Sequence, residues 1–177
     1  MDNKIKESES SELHELVVKL GSDDGIEREK ARKALVKIGR DSIDILMELL
    51  SHPKHIYRWE AVKSLEEIAD PISIPLLIQA LEDDKSDVRW IAAKGLIKLG
   101  SKSIEPLLKI LEEKSDCVFI LEGAHHVFFD LRENEVLPKD FPIDKLLSAL
   151  KNSEWVDGVE PLAYKILNIY KKQYDDI

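Results

Sequence analysis

The chain has 177 residues, enough for a single domain with a hydrophobic core. Hydrophobic residues make up 44% of it and charged residues 34%, and the formal net charge of −9 disfavours broad attraction to nucleic acid or to an anionic membrane. The single cysteine, Cys117, excludes an internal disulfide and every zinc site built from two or more cysteines.

The start of the chain and its apolar segments indicate where the protein works. Residues 1–12 are polar and do not contain the apolar region of a signal peptide. No stretch approaches the roughly 18 uncharged apolar residues of a membrane-spanning helix. We therefore expect a cytoplasmic protein that has no membrane partner. We also expect one folded domain over residues 11–177 and a frayed N-terminus over residues 1–10.

A repeated helical pattern dominates the sequence. Three segments align without gaps, at residues 26–39, 56–69 and 88–100. Each has an Arg, an Ala three residues later, and apolar residues four and seven positions after the Ala, which is the spacing of one helical stripe. The Arg positions are Arg28, Arg58 and Arg89, and the Ala positions are Ala31, Ala61 and Ala92. A weaker form of the pattern continues around Ala124 and Ala163.

A second helix is predicted between successive copies, because apolar residues recur there at helical spacing, as in Ile43, Leu46 and Leu50. The predicted elements are therefore ten helices in five pairs. In chain order the pairs occupy residues 11–39, 41–70, 72–100, 102–134 and 142–173. No long segment alternates with a period of two residues, so we expect no strands. Stacking the pairs would bury the faces that one pair cannot bury alone, which predicts a solenoid.

The predicted ends of these helices have suitable residues. Gly39 and Gly100 follow the last apolar residue of a second helix, where a left-handed C-cap favours glycine. Ser73 and Ser103 lie near the starts of first helices, where a hydroxyl side chain is suited to capping.

The segment Val88–Gly100 reads V-R-x-x-A-A-x-x-L-x-x-L-G and resembles the HEAT-like repeats first described in phycobilin lyases. The resemblance covers nearly the whole chain, is strong over residues 23–116 and weakens towards the C-terminus. It implies an all-α, right-handed α-solenoid of about five HEAT-like helix pairs, with the second helix of each pair on the concave side. Such repeats specify a scaffold and not a reaction.

The repeated Arg has a structural and a ligand-binding interpretation. In the family that the sequence resembles, this Arg commonly pairs with acidic residues in neighbouring repeat turns. The acidic residues available in those turns are Asp23, Asp24, Asp83, Asp84 and Asp87. We expect Arg28, Arg58 and Arg89 to link the repeats rather than to bind a ligand, because a residue repeated with the frame needs only a repeated structural cause.

Two further columns place aromatic and basic residues on one side of the second helices. Trp59 and Trp90 stand two residues before the repeated Ala. The residues two positions after the Ala include Lys33, Lys63, Lys94 and His126. We expect Trp59 over Lys63 and Trp90 over Lys94, in cation–π contacts of roughly 0.5–1 kcal/mol when exposed. These six residues are candidates for a concave surface that binds a protein or an acidic peptide. The alternative is a solvated lysine face with each Trp half buried.

No group of residues indicates catalysis. His125 and His126 are adjacent, so on a helix they point about 100° apart and cannot readily chelate one metal ion. The repeats lack the His-Glu dipeptides with which HEAT-repeat deoxyhypusine hydroxylases hold iron. We therefore expect no metal, no cofactor and no catalytic residues.

The sequence thus favours a non-catalytic scaffold that binds a partner protein through the concave helix surface. One alternative, implied by the resemblance, is a lyase-like or chaperone-like subunit that handles a planar cofactor such as a bilin. Nucleic-acid binding is a third alternative, and the net charge of −9 disfavours it.

Overall fold

The computed structural model describes residues 2–151 and 156–174, and within these ranges the chain forms ten α-helices and no strands. The helices are α1 (Asp2–Leu20), α2 (Gly25–Ile38), α3 (Ile43–Leu49), α4 (His55–Ile68), α5 (Ile74–Ala80), α6 (Ser86–Leu99), α7 (Ile104–Glu113), α8 (Val118–Glu133), α9 (Ile143–Lys151) and α10 (Val156–Tyr174). The expected all-α architecture of helix pairs is confirmed.

The predicted boundaries of the frayed N-terminus and of the fifth repeat can be compared with the described helices. Helical backbone begins at Asp2, so α1 covers the residues for which the sequence predicts fraying. Fraying of residues 1–10 stays a prediction. The predicted fifth repeat includes residues 152–155, which lie outside the described residues.

The repeated small and apolar residues form the core. The Ala of every copy is buried, and so are the leucines four positions later in the first three copies, Leu35, Leu65 and Leu96. The next apolar position of the stripe lies at the end of each second helix and is less covered. Ile38 is 38% exposed there, so this position belongs to the edge of the core and not to its centre.

The helices pack in two layers through the first four pairs. The second helices lie side by side, with α4 between α2 and α6, and with α8 on the far side of α6. Each second helix also packs on the first helix of its own pair. This is the arrangement expected of stacked repeats, because each pair buries its apolar faces against its neighbours.

The last pair departs from this arrangement. Regular stacking would place α10 beside α8, but α10 packs mainly on α7, and α9 packs on α8. The final pair has therefore exchanged layers relative to the first four. As a result, the repeat positions of α10 do not continue the columns that run across α2, α4, α6 and α8.

The segment between α8 and α9 helps to hold this exchanged pair. Phe141 lies between Phe128 of α8 and Tyr170 of α10, with ring centroids 5.9 Å and 6.4 Å away respectively. Phe128 is fully buried. The aromatic contacts thus join the second-helix layer to the last helix and close the C-terminal end of the core.

Glycines end two of the second helices, but not in the left-handed conformation that the sequence predicts. Gly39 has φ of 72° and ψ of −129°, and Gly100 has φ of 62° and ψ of −132°, a region that side chains with a Cβ rarely adopt. The equivalent position after α4 holds Ala69, whose φ of 52° and ψ of 38° lie in the left-handed region. Ala69 therefore carries a backbone strain that the two glycines avoid.

Replacing Ala69 with Gly is expected to stabilise the protein by about 1 kcal/mol, because glycine adopts the left-handed conformation without a Cβ clash. In a chain of this size that gain corresponds to a rise of about 2–4 °C in melting temperature. Thermal unfolding followed by circular dichroism measures it. The matched control is Ala80→Gly, at a helical residue that gains nothing from a positive φ, and it should lower the melting temperature. An unchanged or lower value for Ala69→Gly would contradict the assignment of strain.

The serines near the first helices do not act as the caps that the sequence predicts. Ser73 and Ser103 are buried, and their side chains form no capping hydrogen bond. Each hydroxyl instead donates to the carbonyl three residues earlier, at 2.6 Å for Ser73 and 2.7 Å for Ser103. Ser42 does the same with Gly39 at 2.7 Å. These three serines therefore stabilise the 3₁₀ turns that lead into α3, α5 and α7.

None of the helices in the described ranges combines the length and the apolar character needed to cross a bilayer.

Candidate functional site

The three repeated arginines share one backbone contact. In each case Nη1 donates to the carbonyl oxygen six residues earlier, which belongs to the turn before the second helix. The pairs are Arg28 with Ser22 at 2.7 Å, Arg58 with His52 at 3.0 Å and Arg89 with Asp83 at 2.9 Å. A charged donor that satisfies a turn carbonyl in every copy is a repeated structural cause for the repeated Arg.

The same arginines also reach beyond their own helices, but to different groups. Arg28 donates through Nε to Glu60 of α4 at 3.3 Å. Arg58 pairs with Asp83, at 2.6 Å, and with Asp84, in the turn before α6. The guanidinium of Arg89 lies over the ring of Phe119 in α8, with 4.0 Å between Cζ and the ring centroid.

The acidic partners predicted for the arginines are therefore only partly those observed. Asp83 and Asp84 pair with Arg58 as expected. Asp23 meets Arg28 through its backbone carbonyl, and Asp24 accepts from the backbone N–H of Ile26 as the N-cap of α2. Asp87 pairs with His55 at 2.9 Å. The N-cap and the His pair thus use carboxylates that the family resemblance offered as partners for the arginines.

Glu60 is a buried charge that the sequence analysis missed. It is 2% exposed, and its carboxylate accepts from Arg32 at 2.6 Å as well as from Arg28. Arg32 also pairs with Glu67 at 3.1 Å. The available sequence signal was a pair of charged residues, Arg32 and Glu60, at positions that are apolar at the next interface. Val62 and Ile91, which occupy those two positions at the next interface, are both buried.

The two tryptophans occupy different environments. Trp59 is half buried against the core, and the cation beside its ring is Arg32, 5.7 Å from the centroid. Trp90 is 55% exposed and stacks on His126 of α8, with 4.4 Å between ring centroids and 24° between ring planes. Among the described residues neither Lys63 nor Lys94 lies over a Trp ring, so the expected Trp–Lys contacts are wrong.

The predicted line of basic residues is largely neutralised. Lys33 pairs with Glu29 at 2.6 Å, and Lys63 pairs with Glu66 and more distantly with Glu67. Lys94 is exposed and forms no ion pair or hydrogen bond with any part of the chain that the structure describes. Of Lys33, Lys63 and Lys94, only Lys94 is therefore unpaired. It lies on α6, one turn after Trp90.

Trp90 and His126 form a ridge between two clefts. One cleft, of about 270 Å³, lies between α6 and α8 and is lined by Ser86, Arg89, Trp90, Ala93, Phe119, Glu122, Gly123 and His126. The other, of about 370 Å³, is lined by Glu66, Trp90, Lys94, Ile97, Lys98, His126 and Asp130. An exposed Trp ring that is held by stacking between two clefts is typical of a surface that binds another molecule.

The histidines of α8 have separate roles. His126 stacks on Trp90, and its Nδ1 lies 3.7 Å from Asp130. Burial, followed by the charges of Lys151, His126 and Arg132, lowers the pKa of His125. Within residues 2–151 and 156–174, no group of three or more His, Cys, Asp or Glu side chains is arranged to hold a metal ion.

Two kinds of similarity relate the chain to known proteins. A sequence profile described as HEAT repeats matches residues 13–87 and 43–120, which together span more than half of the chain. The chain also resembles one in the solved structure of the complex of CpcE and CpcF of phycocyanin lyase from Nostoc sp. PCC7120. That likeness has a TM-score of 0.58 and 24% identity, and covers 88% of this chain and 99% of the other. No curated protein matches the chain. At this identity the structural likeness shows the fold alone.

Proposed function

Because the chain belongs to the HEAT-repeat family, we propose that it is a non-catalytic scaffold that binds a protein partner across α6 and α8. The observation that carries the proposal is the exposed Trp90 ring, held by stacking on His126 between two clefts. Tryptophan is favoured at the centre of interfaces because it buries a large area while few torsions are frozen.

The charges around this surface support a partner segment with acidic residues. Of the three lysines that the predicted basic column places on α2, α4 and α6, Lys94 alone has no partner among the described residues. Lys98, in the same cleft, donates to the backbone carbonyls of Glu66 and Glu67 and so neutralises the end of α4. An acidic side chain beside Trp90 would pair with Lys94. Trp59, Lys33 and Lys63 lie outside this proposed contact, because they are covered or paired.

The site is tested by affinity capture from a native lysate of the organism that makes the protein. Trp90→Ala is expected to reduce recovery of the partner at least tenfold, since an anchor residue at an interface centre contributes about 2 kcal/mol or more. Tyr164→Ala, which truncates another exposed aromatic residue, on α10, should leave recovery unchanged. Full recovery with Trp90→Ala would contradict the proposal.

Charge reversal tests the acidic character of the partner in the same assay. Lys94→Glu should weaken capture, and the loss should shrink as the salt concentration rises. Lys33→Glu is the matched control on α2, where Glu29 already neutralises the lysine.

A second candidate function is the handling of a planar cofactor such as a bilin. It is favoured by the stacked Trp90–His126 pair together with the likeness to a structure of phycocyanin lyase. The two clefts, of about 270 and 370 Å³, lie at the lower end of the roughly 300–1,000 Å³ of small-molecule sites, so a tetrapyrrole would have to extend across the ridge. Titration with biliverdin, followed by its absorbance, tests this candidate. A flat titration would remove it.

A further inference from the structure

The cleft between α6 and α8, which we call the α6–α8 slot, has a cause in the repeat sequence. In each repeat, the residue directly after the repeated Ala faces the second helix of the next repeat. There it meets the residue directly before that repeat's Ala. Between α2 and α4 these positions hold Arg32 and Glu60, which fill the interface with an ion pair. Between α6 and α8 they hold Ala93 and Gly123, which are small. The slot of about 270 Å³ lies at this pair, where the small side chain of Ala93 lines it. The space beside Gly123 is already occupied, because a Cβ there would lie 2.8 Å from Leu81.

Two aromatic residues line the slot. Trp90 stacks on His126, and the ring of Phe119 lies under the guanidinium of Arg89. Each of these contacts joins α6 to α8, so each ring is held in place. A slot lined by two fixed rings is suited to a flat side chain that packs against them.

Two charged groups that line the slot lack an ionic partner. Arg89 binds a backbone carbonyl and the face of Phe119, but pairs with no carboxylate in the described part of the chain. Glu122 is exposed and has neither an ion pair nor a hydrogen bond there. An ionised carboxylate is an acceptor only, so a partner group that covers Glu122 and displaces its water should bring a donor.

We propose that the α6–α8 slot holds a Tyr or Trp side chain of the protein partner, with the ring packed against the aromatic lining and the O–H or N–H donated to Glu122. This inference rests on the proposed function and specifies the partner's anchor residue. The volume of the slot suits one aromatic side chain better than a larger ligand.

Other side chains fit the slot less well. An aliphatic side chain would cover Glu122 without supplying a donor, at the cost of leaving a polar group unpaired. An Arg or Lys side chain would pair with Glu122 but would meet the positive charge of Arg89. An aromatic ring benefits from the same guanidinium, because a cation over a ring face is attractive.

The inference is tested with capped amino acids and the isotope-labelled full chain. N-acetyltyrosinamide and N-acetyltryptophanamide should cause saturable shifts in the backbone amide signals of Ala93 and Gly123. N-acetylphenylalaninamide differs from the tyrosine compound by one hydroxyl and should bind roughly threefold to tenfold more weakly. In Glu122→Ala this ratio should approach one. Equal binding of N-acetylleucinamide or N-acetylargininamide, or the absence of saturable shifts at both amides, would overturn the inference.

Filling the slot separates this inference from the proposed function. Ala93→Leu should abolish the shifts and reduce capture of the partner at least tenfold. Ala93→Val is the second variant, which the fold should tolerate because Val62 occupies the same repeat position. If Trp90→Ala loses the partner while folded Ala93→Leu and Ala93→Val retain it, the scaffold function stands and the aromatic anchor is wrong. If Trp90→Ala retains the partner, the proposed function itself is wrong.

Discussion

Glu60→Ala is expected to lower the free energy of unfolding by about 3–5 kcal/mol, because it removes one partner of a buried charge network. Arg32 and Arg28 both donate to this carboxylate, which is almost completely covered. Without Glu60 the guanidinium of Arg32 would remain in a largely dry interface between α2 and α4. Chemical denaturation monitored by circular dichroism measures the loss, which is a large part of the 5–15 kcal/mol of a typical domain.

Two further variants separate the network from a general effect of lost charge. Glu67→Ala removes another partner of Arg32 at a more exposed position and should cost about 1 kcal/mol or less. The double variant Arg32→Val with Glu60→Ile copies the apolar residues of the next interface, Val62 and Ile91. It should recover most of the lost stability. A double variant no more stable than Glu60→Ala would contradict the equivalence of these repeat positions.

Phe128→Ala is expected to cost about 3–5 kcal/mol, since it leaves a cavity at a fully buried aromatic position. Phe128 packs on Phe141, which in turn contacts Tyr170 of the exchanged last pair. The variant should therefore weaken the attachment of α9 and α10 first. Hydrogen exchange measured by mass spectrometry should show that the substitution increases the exchange rate more in residues 143–151 and 156–174 than in α4 and α6.

The neighbouring residue supplies a matched control. Phe129 is 42% exposed and contacts Arg132, whose Cζ lies 4.8 Å from the ring centroid. Phe129→Ala should cost about 1 kcal/mol or less, because it opens no cavity. Equal destabilisation by the two variants would contradict the role of Phe128 at the C-terminal end of the core.

The helix pairs could be predicted because their cause is local and repeated. A buried Ala column followed by Leu35, Leu65 and Leu96 sets helical periodicity within each copy, and stacking follows from the faces left apolar. The exchange of layers by the last pair had no comparable signal. Pro138 and Pro142 mark an interruption of the repeat, but local pattern does not determine which neighbour α10 covers.

The candidate site could be predicted only in part, because repeat spacing places its residues near one another but does not determine their exposure or their partners. Column spacing put Trp90, Lys94 and His126 near one another, and they line one cleft. Column spacing did not distinguish Trp59 from Trp90, because exposure depends on the neighbouring helix. Trp59 has the guanidinium of Arg32 beside it, whereas Trp90 lies next to the slot between α6 and α8. Lys33 is neutralised by Glu29, which stands in the column of the tryptophans, whereas Lys63 is neutralised by Glu66, which lies outside the repeated columns.

The central claim, that α6 and α8 form the partner-binding surface, is tested most directly by photo-crosslinking in the organism that makes the protein. A benzophenone amino acid replaces Ser86, which is exposed at the start of α6 and lines the slot. The same group at Tyr164 on α10 serves as the control. We predict that position 86 crosslinks to one defined protein, that Trp90→Ala abolishes this product, and that position 164 gives none. A product formed only from position 164, or one from position 86 that persists with Trp90→Ala, would contradict the claim.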